Sequence, residues 1–210
     1  MMKFKTITTM MMTAVMALAL VGCGSSESTT SSTKANTQDT KAAASEIVNT
    51  IPGGLRGKNV LVAYYSWSGN TKKVAEQIHS EVGGDIVTVE PEKAYPKEYQ
   101  ECVDVAKKEA NDNVRPAVAT KVDNMDQYDV VFVGYPIWWY KAPMHMYTFL
   151  ESYSFNGKVI VPFCTSGGSP IDGSIPDIQK SAKGATIVKG SQYADPAKVS
   201  QWLKDIQAVQ

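Results

Sequence analysis

The chain has 210 residues with 21 basic and 21 acidic side chains, so no overall field draws it to nucleic acid. With 43% hydrophobic and 20% charged residues it can build a core, which excludes disorder throughout. Three cysteines are too few for a disulfide framework, and no CxxC or Cys/His spacing suggests a metal centre.

The amino-terminal segment reads as an export signal. Lys3 and Lys5 precede an uncharged stretch from Thr6 to Val21, the pattern of a basic region followed by an apolar one. An ordinary signal peptide or a short membrane anchor carries the same pattern. The stretch ends in Leu20-Val21-Gly22-Cys23, which resembles the lipobox of bacterial lipoproteins. That resemblance implies cleavage of residues 1–22, a lipid on Cys23 and an extracytoplasmic position on the cell membrane. Loss of two lysines leaves 19 basic against 21 acidic side chains, a net charge of −2. From Gly24 to Thr50, 12 of 27 residues are Ser or Thr and none is aromatic. Such a segment buries too little surface to offset its ordering entropy. Residues 23–57 are therefore expected to form a tether with an end-to-end distance of about 30 Å.

Folding is expected from Lys58 onward, in one domain over 58–210. Short continuous apolar runs occur at Val60–Tyr64, Ile86–Val89, Val130–Val133 and Val159–Phe163, with a weaker one at Thr186–Val188. They lack in/out alternation and so suit strands covered on both faces of a parallel sheet. Between them lie helical stripes: Val74, Ile78 and Val82; Tyr99, Val103, Ala106 and Ala110; and Val199, Trp202, Leu203 and Ile206. This alternation predicts a doubly wound α/β sandwich with right-handed crossovers. Pro162 has no N–H for a ladder and predicts a bulge or irregular end in the fourth run.

In such a sheet the functional loops follow the strands. After the first strand comes Ser66-Trp67-Ser68-Gly69-Asn70-Thr71, which offers three hydroxyls, a glycine for a tight bend and the N–H groups of a helix start. These groups suit a phosphate, although Ser68 or Thr71 would equally serve as a helix cap. Neither GxxxxGK[ST] nor GxGxxG is present. After the third strand comes Pro136-Ile137-Trp138-Trp139, and after the fourth Thr165-Ser166-Gly167-Gly168; three of the four tryptophans lie in these loops. Aromatic side chains at strand ends are suited to stack on a planar ligand. One ligand with a phosphate at one end and a flat ring system at the other satisfies all three loops, and FMN has that shape.

These residues resemble the flavodoxin family over about residues 58–210. Ser66–Thr71 matches its phosphate loop, and Gly134–Trp139 with Ala142-Pro143 and Phe149–Glu151 matches a reductase-like branch, as do Tyr95-Pro96 and Arg115-Pro116. The resemblance implies a five-stranded parallel sheet of order 2-1-3-4-5 with the flavin at the switch in strand order, flavodoxin being itself the reference case of that rule. It further implies that Ser66, Ser68, Asn70 and Thr71, with the amides of Trp67 and Gly69, hold the phosphate. Pro136, Ile137, Trp138 and Trp139 would border the isoalloxazine, and Thr165, Ser166, Gly167 and Gly168 its other edge.

The expected function is electron transfer through FMN on the outer face of the membrane, with a redox protein or a membrane quinone as partner. An FMN-dependent NAD(P)H or quinone reductase and a flavin-free scaffold domain are the alternatives. Carrier flavodoxins are usually strongly acidic, and a charge of −2 gives little such steering. Cys102 and Cys164 read as small buried side chains. His79 and His145 lack partners at ligand spacing, and Lys72 and Lys73 are left outside the core site.

Overall fold

The computed structural model describes residues 45–193 and 196–210. The export-type segment, Cys23 and most of the tether lie outside the described residues. No helix among the described residues is long and apolar enough to cross a membrane.

Seven strands, β1 (Glu46–Val48), β2 (Val60–Tyr64), β3 (Asp85–Thr88), β4 (Val130–Pro136), β5 (Val159–Thr165), β6 (Thr186–Val188) and β7 (Ser191–Tyr193), pair in parallel. Their order is β1-β6-β5-β4-β2-β3, with β7 also on β5. The five expected strands therefore lie in the order 2-1-3-4-5. Every residue of β2 is buried, as are the first six of β4 and of β5. That burial explains why these runs are apolar without alternation.

Two cores cover the sheet. On one face Val60, Val62, Phe132 and Val161 pack with α1 (Asn70–Val82) and α5 (Val199–Asp205) through Val74, Ile78, Val199 and Leu203. On the other, Leu61, Val131, Val133 and Ile160 meet α2 (Tyr99–Asp112), α3 (Met144–Glu151) and α4 (Ile175–Ser181) through Cys102, Met146, Phe149, Leu150 and Ile178. The result is a three-layer α/β sandwich, as expected.

Four details depart from the sequence reading. The segment assigned to the tether is structured from residue 46: β1 extends the sheet beside β6, and Ile51 is fully buried with its N–H donating to Ile206 O at 2.9 Å. Pairing by β1 covers a backbone edge that β6 would otherwise expose. β3 is an edge strand, with Asp85 and Ile86 exposed, and is not covered on both faces. In α2 the inward face is Cys102 and Ala106, while Tyr99 is exposed. The helices α3 and α4 carry no stripe recognised in the sequence. They are short, and in α3 six of eight residues are buried, so apolar residues are not confined to one side.

The irregularity expected at Pro162 falls in its neighbour. β5 keeps register with β4 through Pro162, but on its other side Ile160 pairs with Ile187 and Phe163 with Ser191. The offset rises from 27 to 28, so one extra residue is inserted between β6 and β7, a bulge opposite the missing N–H. At the centre of the sheet, Gly134 is demanded by packing: a Cβ there would lie 2.1 Å from the Phe163 ring.

Candidate functional site

The loops after β2, β4 and β5 open on one cleft of about 820 Å³ at the carboxyl ends of the strands. β2 and β4 are adjacent, and the chain leaves β2 toward β3 on one side before returning to β4 on the other. The cleft thus lies at the switch in strand order, where two loops diverge and leave a crevice.

The loop from β2 is held by Tyr65 N–H donating to Gly134 O at 2.9 Å. It turns into α1 through Gly69, whose φ of 86° is left-handed and favours a residue without Cβ. No side chain caps α1, and its first turn contains no acid. The hydroxyls of this loop therefore do not act as helix caps. Among the described residues nothing accepts the main-chain N–H groups of Ser66 through Lys72. Ser66 Oγ is buried without a hydrogen-bond partner among the described residues. Such a group costs about 1–3 kcal/mol if it stays unpaired, so the bend is built for an acceptor that the chain itself does not supply.

Thr71 differs from the expectation. It is 1% exposed, and its Oγ1 lies 2.8 Å from Thr165 Oγ1, so it ties the start of α1 to the β5 loop and, unlike Thr165, does not line the cleft. Ser66, Gly69, Thr71 and Gly168 do not line the cleft, whereas Trp67, Ser68, Asn70, Pro136, Ile137, Trp138, Trp139, Thr165, Ser166 and Gly167 do. Ser66 and Gly69 still shape the bend through an orphan hydroxyl and backbone. Gly168 donates its N–H to Ser166 Oγ at 3.0 Å and fixes the third loop.

The aromatic wall is organised by its neighbours. Trp67 Nε1 donates to Pro96 O at 2.9 Å, and its ring centroid lies 6.3 Å from that of Tyr99. Trp138 packs edge-on against Tyr65 and Tyr95, with centroids 5.9 and 4.9 Å away. Trp139 Nε1 donates to Val103 O at 3.2 Å, and Lys107 Nζ sits 4.8 Å from the ring centroid. These contacts make α2 a wall of the cleft through Tyr99, Cys102, Val103 and Ala106, a role the sequence reading missed. Tyr95-Pro96 and Arg115-Pro116 acquire roles as well: Pro96 and Tyr95 brace the indoles, and Arg115 Nε donates to Glu151 Oε2 at 2.9 Å beneath this helical layer.

Trp139 and Tyr140 form the tip of a two-residue turn. Trp138 N–H donates to Lys141 O at 2.9 Å and Lys141 N–H to Trp138 O at 3.0 Å, with φ of 51° at Trp139 and 65° at Tyr140. Two positive φ angles define a turn that Asn-Gly usually fills. Bulky residues there cost on the order of 1–3 kcal/mol each, strain of the kind that collects at functional sites. Tyr140 is 65% exposed, so its ring returns little of that cost. Tyr140→Gly is expected to raise the unfolding free energy by about 1 kcal/mol. Urea denaturation checks this, and a loss of stability would mean that the ring packs against something in solution.

Behind Trp138 lies a buried polar chain. His145 is fully buried; its Nε2 donates to Val89 O at 3.2 Å, and its Nδ1 is 3.4 Å from the Tyr95 hydroxyl. That hydroxyl donates to Glu109 Oε2 at 2.7 Å. Burial pushes the imidazole down to about 4, with the Val89 carbonyl acting in the opposite direction. The ring is therefore neutral at pH 7. Burial also raises the Glu109 carboxyl, opposed by the Tyr95 hydrogen bond and by Lys93. Cys102 and Cys164 are buried free thiols, and burial pushes Cys164 up to about 12.

Comparison with known proteins agrees with this geometry. A crystal structure of a Bacteroides eggerthii protein assigned as a flavoprotein is 37% identical, with a TM-score of 0.63 over 73% of this chain and 100% of that one. A Bacteroides uniformis protein assigned in the same way is 32% identical, with a TM-score of 0.63 over 70% and 99% of the two chains. A flavoprotein from Lactobacillus acidophilus, solved in complex with FMN, is 26% identical, with a TM-score of 0.58 over 70% and 99%. No curated protein matches the chain significantly. The family model described as flavodoxin matches residues 59–206, which takes in the sheet from β2 onward and all three cleft loops, and the chain belongs to the flavodoxin family.

Proposed function

We propose that this chain is an FMN-binding electron-transfer protein. The observation that carries the reading is the bend after β2: a run of N–H groups and a buried Ser66 Oγ that no group among the described residues satisfies, in a loop whose Trp67, Ser68 and Asn70 line one end of a cleft walled by indoles. That donor set fits a phosphate dianion, and the indole walls fit an isoalloxazine. The Lactobacillus acidophilus relative, solved with FMN, supports the same ligand. Bound FMN supplies reversible uptake and release of electrons.

The remaining work falls to the chain. Ser66, Ser68 and Asn70, with the amides of Trp67 and Gly69, hold the phosphate. Trp138 and Trp139, with Pro136 and Ile137, border the ring system, and Ser166 and Gly167 its other edge. The indoles also exclude water from one face of the ring. A redox protein or a membrane quinone is the partner this reading proposes. The lipobox-like Leu20–Cys23 supports a lipid on Cys23 and a place on the outer face of the membrane. Exposure of Tyr99 and Trp139 at the mouth, 71% and 43%, favours as second reading an FMN-dependent NAD(P)H or quinone reductase, in which another planar molecule stacks there.

FMN at a hundred times its dissociation constant is expected to stabilise the folded chain by about 2.7 kcal/mol. Denaturation with and without FMN checks this, and coincident curves would contradict FMN binding. Stopped-flow reduction with NADH, NADPH and a reduced quinone separates the two readings, since turnover with none of them removes the reductase.

A further inference from the structure

The three indoles that line the cleft are not held alike. Trp67 and Trp139 are pinned through Nε1, which donates to Pro96 O at 2.9 Å in the first and to Val103 O at 3.2 Å in the second. Trp138 Nε1 makes no hydrogen bond among the described residues. The second side-chain torsion of an aromatic residue is broad, so an indole without such a bond takes its plane from the groups packed against it. Two tyrosine rings supply that packing, both nearly perpendicular to the indole. The Tyr65 ring lies at 85° with its centroid 5.9 Å away, and the Tyr95 ring at 86° with its centroid 4.9 Å away.

The two tyrosines are fixed by different means. Tyr65 follows β2 directly and is bonded through its N–H to Gly134 O in the sheet. Tyr95 lies in the connection between β3 and α2, where no ladder or helix holds the backbone around it. Its hydroxyl does that work. It donates to Glu109 Oε2 on α2 at 2.7 Å and lies 3.4 Å from His145 Nδ1 on α3, whose Nε2 donates to Val89 O at the start of the same connection. A hydrogen bond to a carboxylate is short and directional, whereas two rings in contact slide at little cost. The Glu109 bond therefore decides where the Tyr95 ring stands against Trp138. The same dipeptide serves two loops, because the Pro96 carbonyl holds Trp67 from the β2 loop while the Tyr95 ring abuts Trp138 from the β4 loop.

We propose that Tyr95 is a positioning residue for the ring end of the cleft: its hydroxyl, bonded to Glu109, fixes the plane of the Trp138 indole and thereby the affinity of the cleft for a flat ligand. The inference rests on the flavin reading above and concerns the ring system, not the phosphate. Loss of the hydroxyl should therefore tell equally on FMN and on riboflavin, which carry the same rings.

The test is titration of the flavin-free protein with FMN and with riboflavin for the wild type, Tyr95→Phe, Glu109→Ala, Glu109→Gln, Trp138→Ala and the double variant Tyr95→Phe/Trp138→Ala. Tyr95→Phe and Glu109→Ala are each expected to raise both dissociation constants about fivefold, the scale of one aromatic contact. Glu109→Gln keeps an oxygen that accepts from the phenol and should stay within about twofold of the wild type. In the Trp138→Ala background the Tyr95→Phe step should cost less than about twofold, because the ring it positions is gone. In the flavin-free protein Tyr95→Phe should change the tryptophan band of the near-ultraviolet circular dichroism, and the same step should leave that band unchanged once Trp138 is alanine. An equal cost of Tyr95→Phe with and without Trp138, or unchanged affinity for both flavins in Tyr95→Phe, would overturn the positioning role. A loss confined to FMN would place the effect at the phosphate and overturn it as well. A wild type that binds neither flavin would instead overturn the FMN reading, and the dichroism of the flavin-free variants would still decide whether Tyr95 orients Trp138.

Discussion

Gly69→Val is expected to lower FMN affinity at least a hundredfold, on the order of two charge-assisted hydrogen bonds. The reason lies in the backbone. Gly69 has φ 86°, and a Cβ built there meets nothing of the chain within 4 Å, so the protein has space for a side chain but not a conformation for a branched one. Valine would drive φ negative and turn the N–H groups of the bend away from the point they share. The flavin-free protein should lose about 1–2 kcal/mol as well, the usual cost of a left-handed L-residue. Gly69→Asn separates conformation from contact, since asparagine tolerates this region. Retained affinity in the asparagine variant assigns the effect to φ, and loss in both assigns it to a Cβ that intrudes on the phosphate. An unchanged FMN titration for the valine variant would contradict the site.

Acid should weaken the fold through His145. In the unfolded chain its imidazole binds a proton near pH 6.5, and in the folded protein only near 4. Between those values the unfolded state holds more protons, so stability present above about pH 6.5 is lost as pH falls toward 4. The shift corresponds to about 3 kcal/mol. Facing groups set the rest of the profile. Tyr65 and Tyr95 pack against the ring with centroids 4.4 and 5.6 Å away, and their phenols, raised mainly by burial, do not titrate in this range. Glu109, reached through Tyr95, has a raised carboxyl and therefore acts with the opposite sign, favouring the folded state as it takes up a proton. His145→Gln keeps a donor for Val89 O without a titrating ring. Urea denaturation at about pH 7 and about pH 4.5 should show a smaller fall for this variant than for the wild type. An identical fall would mean that the ring is already protonated in the folded state.

Sequence alone located the parts of the molecule in which local pattern and environment coincide. β2, β4 and β5 are apolar runs because both faces are covered, and the three loops after them form the cleft. What escaped depends on distant partners. Glu46-Ile47-Val48 is a three-residue edge strand in a Ser/Thr-rich stretch, too short to show a period, and becomes a strand because β6 offers an edge. Val103 and Ala106 belong to a helical stripe with Tyr99 and Ala110, which says that α2 faces the sheet but not that its first turns, with Cys102, line the cleft. His145 is an ordinary residue in its sequence context, and its neutrality follows from packing against Tyr65 and Tyr95. Pro162 was the converse case: a residue type alone located a bulge, although in the partner strand.

The central claim is that the bend after β2 holds FMN mainly through main-chain and hydroxyl donors. The most direct measurement is the visible absorption spectrum of the purified protein, before and after incubation with excess FMN and removal of the unbound flavin. The account predicts a flavin spectrum that stays with the protein in a ratio near one per chain. A preparation that remains colourless after incubation would contradict it.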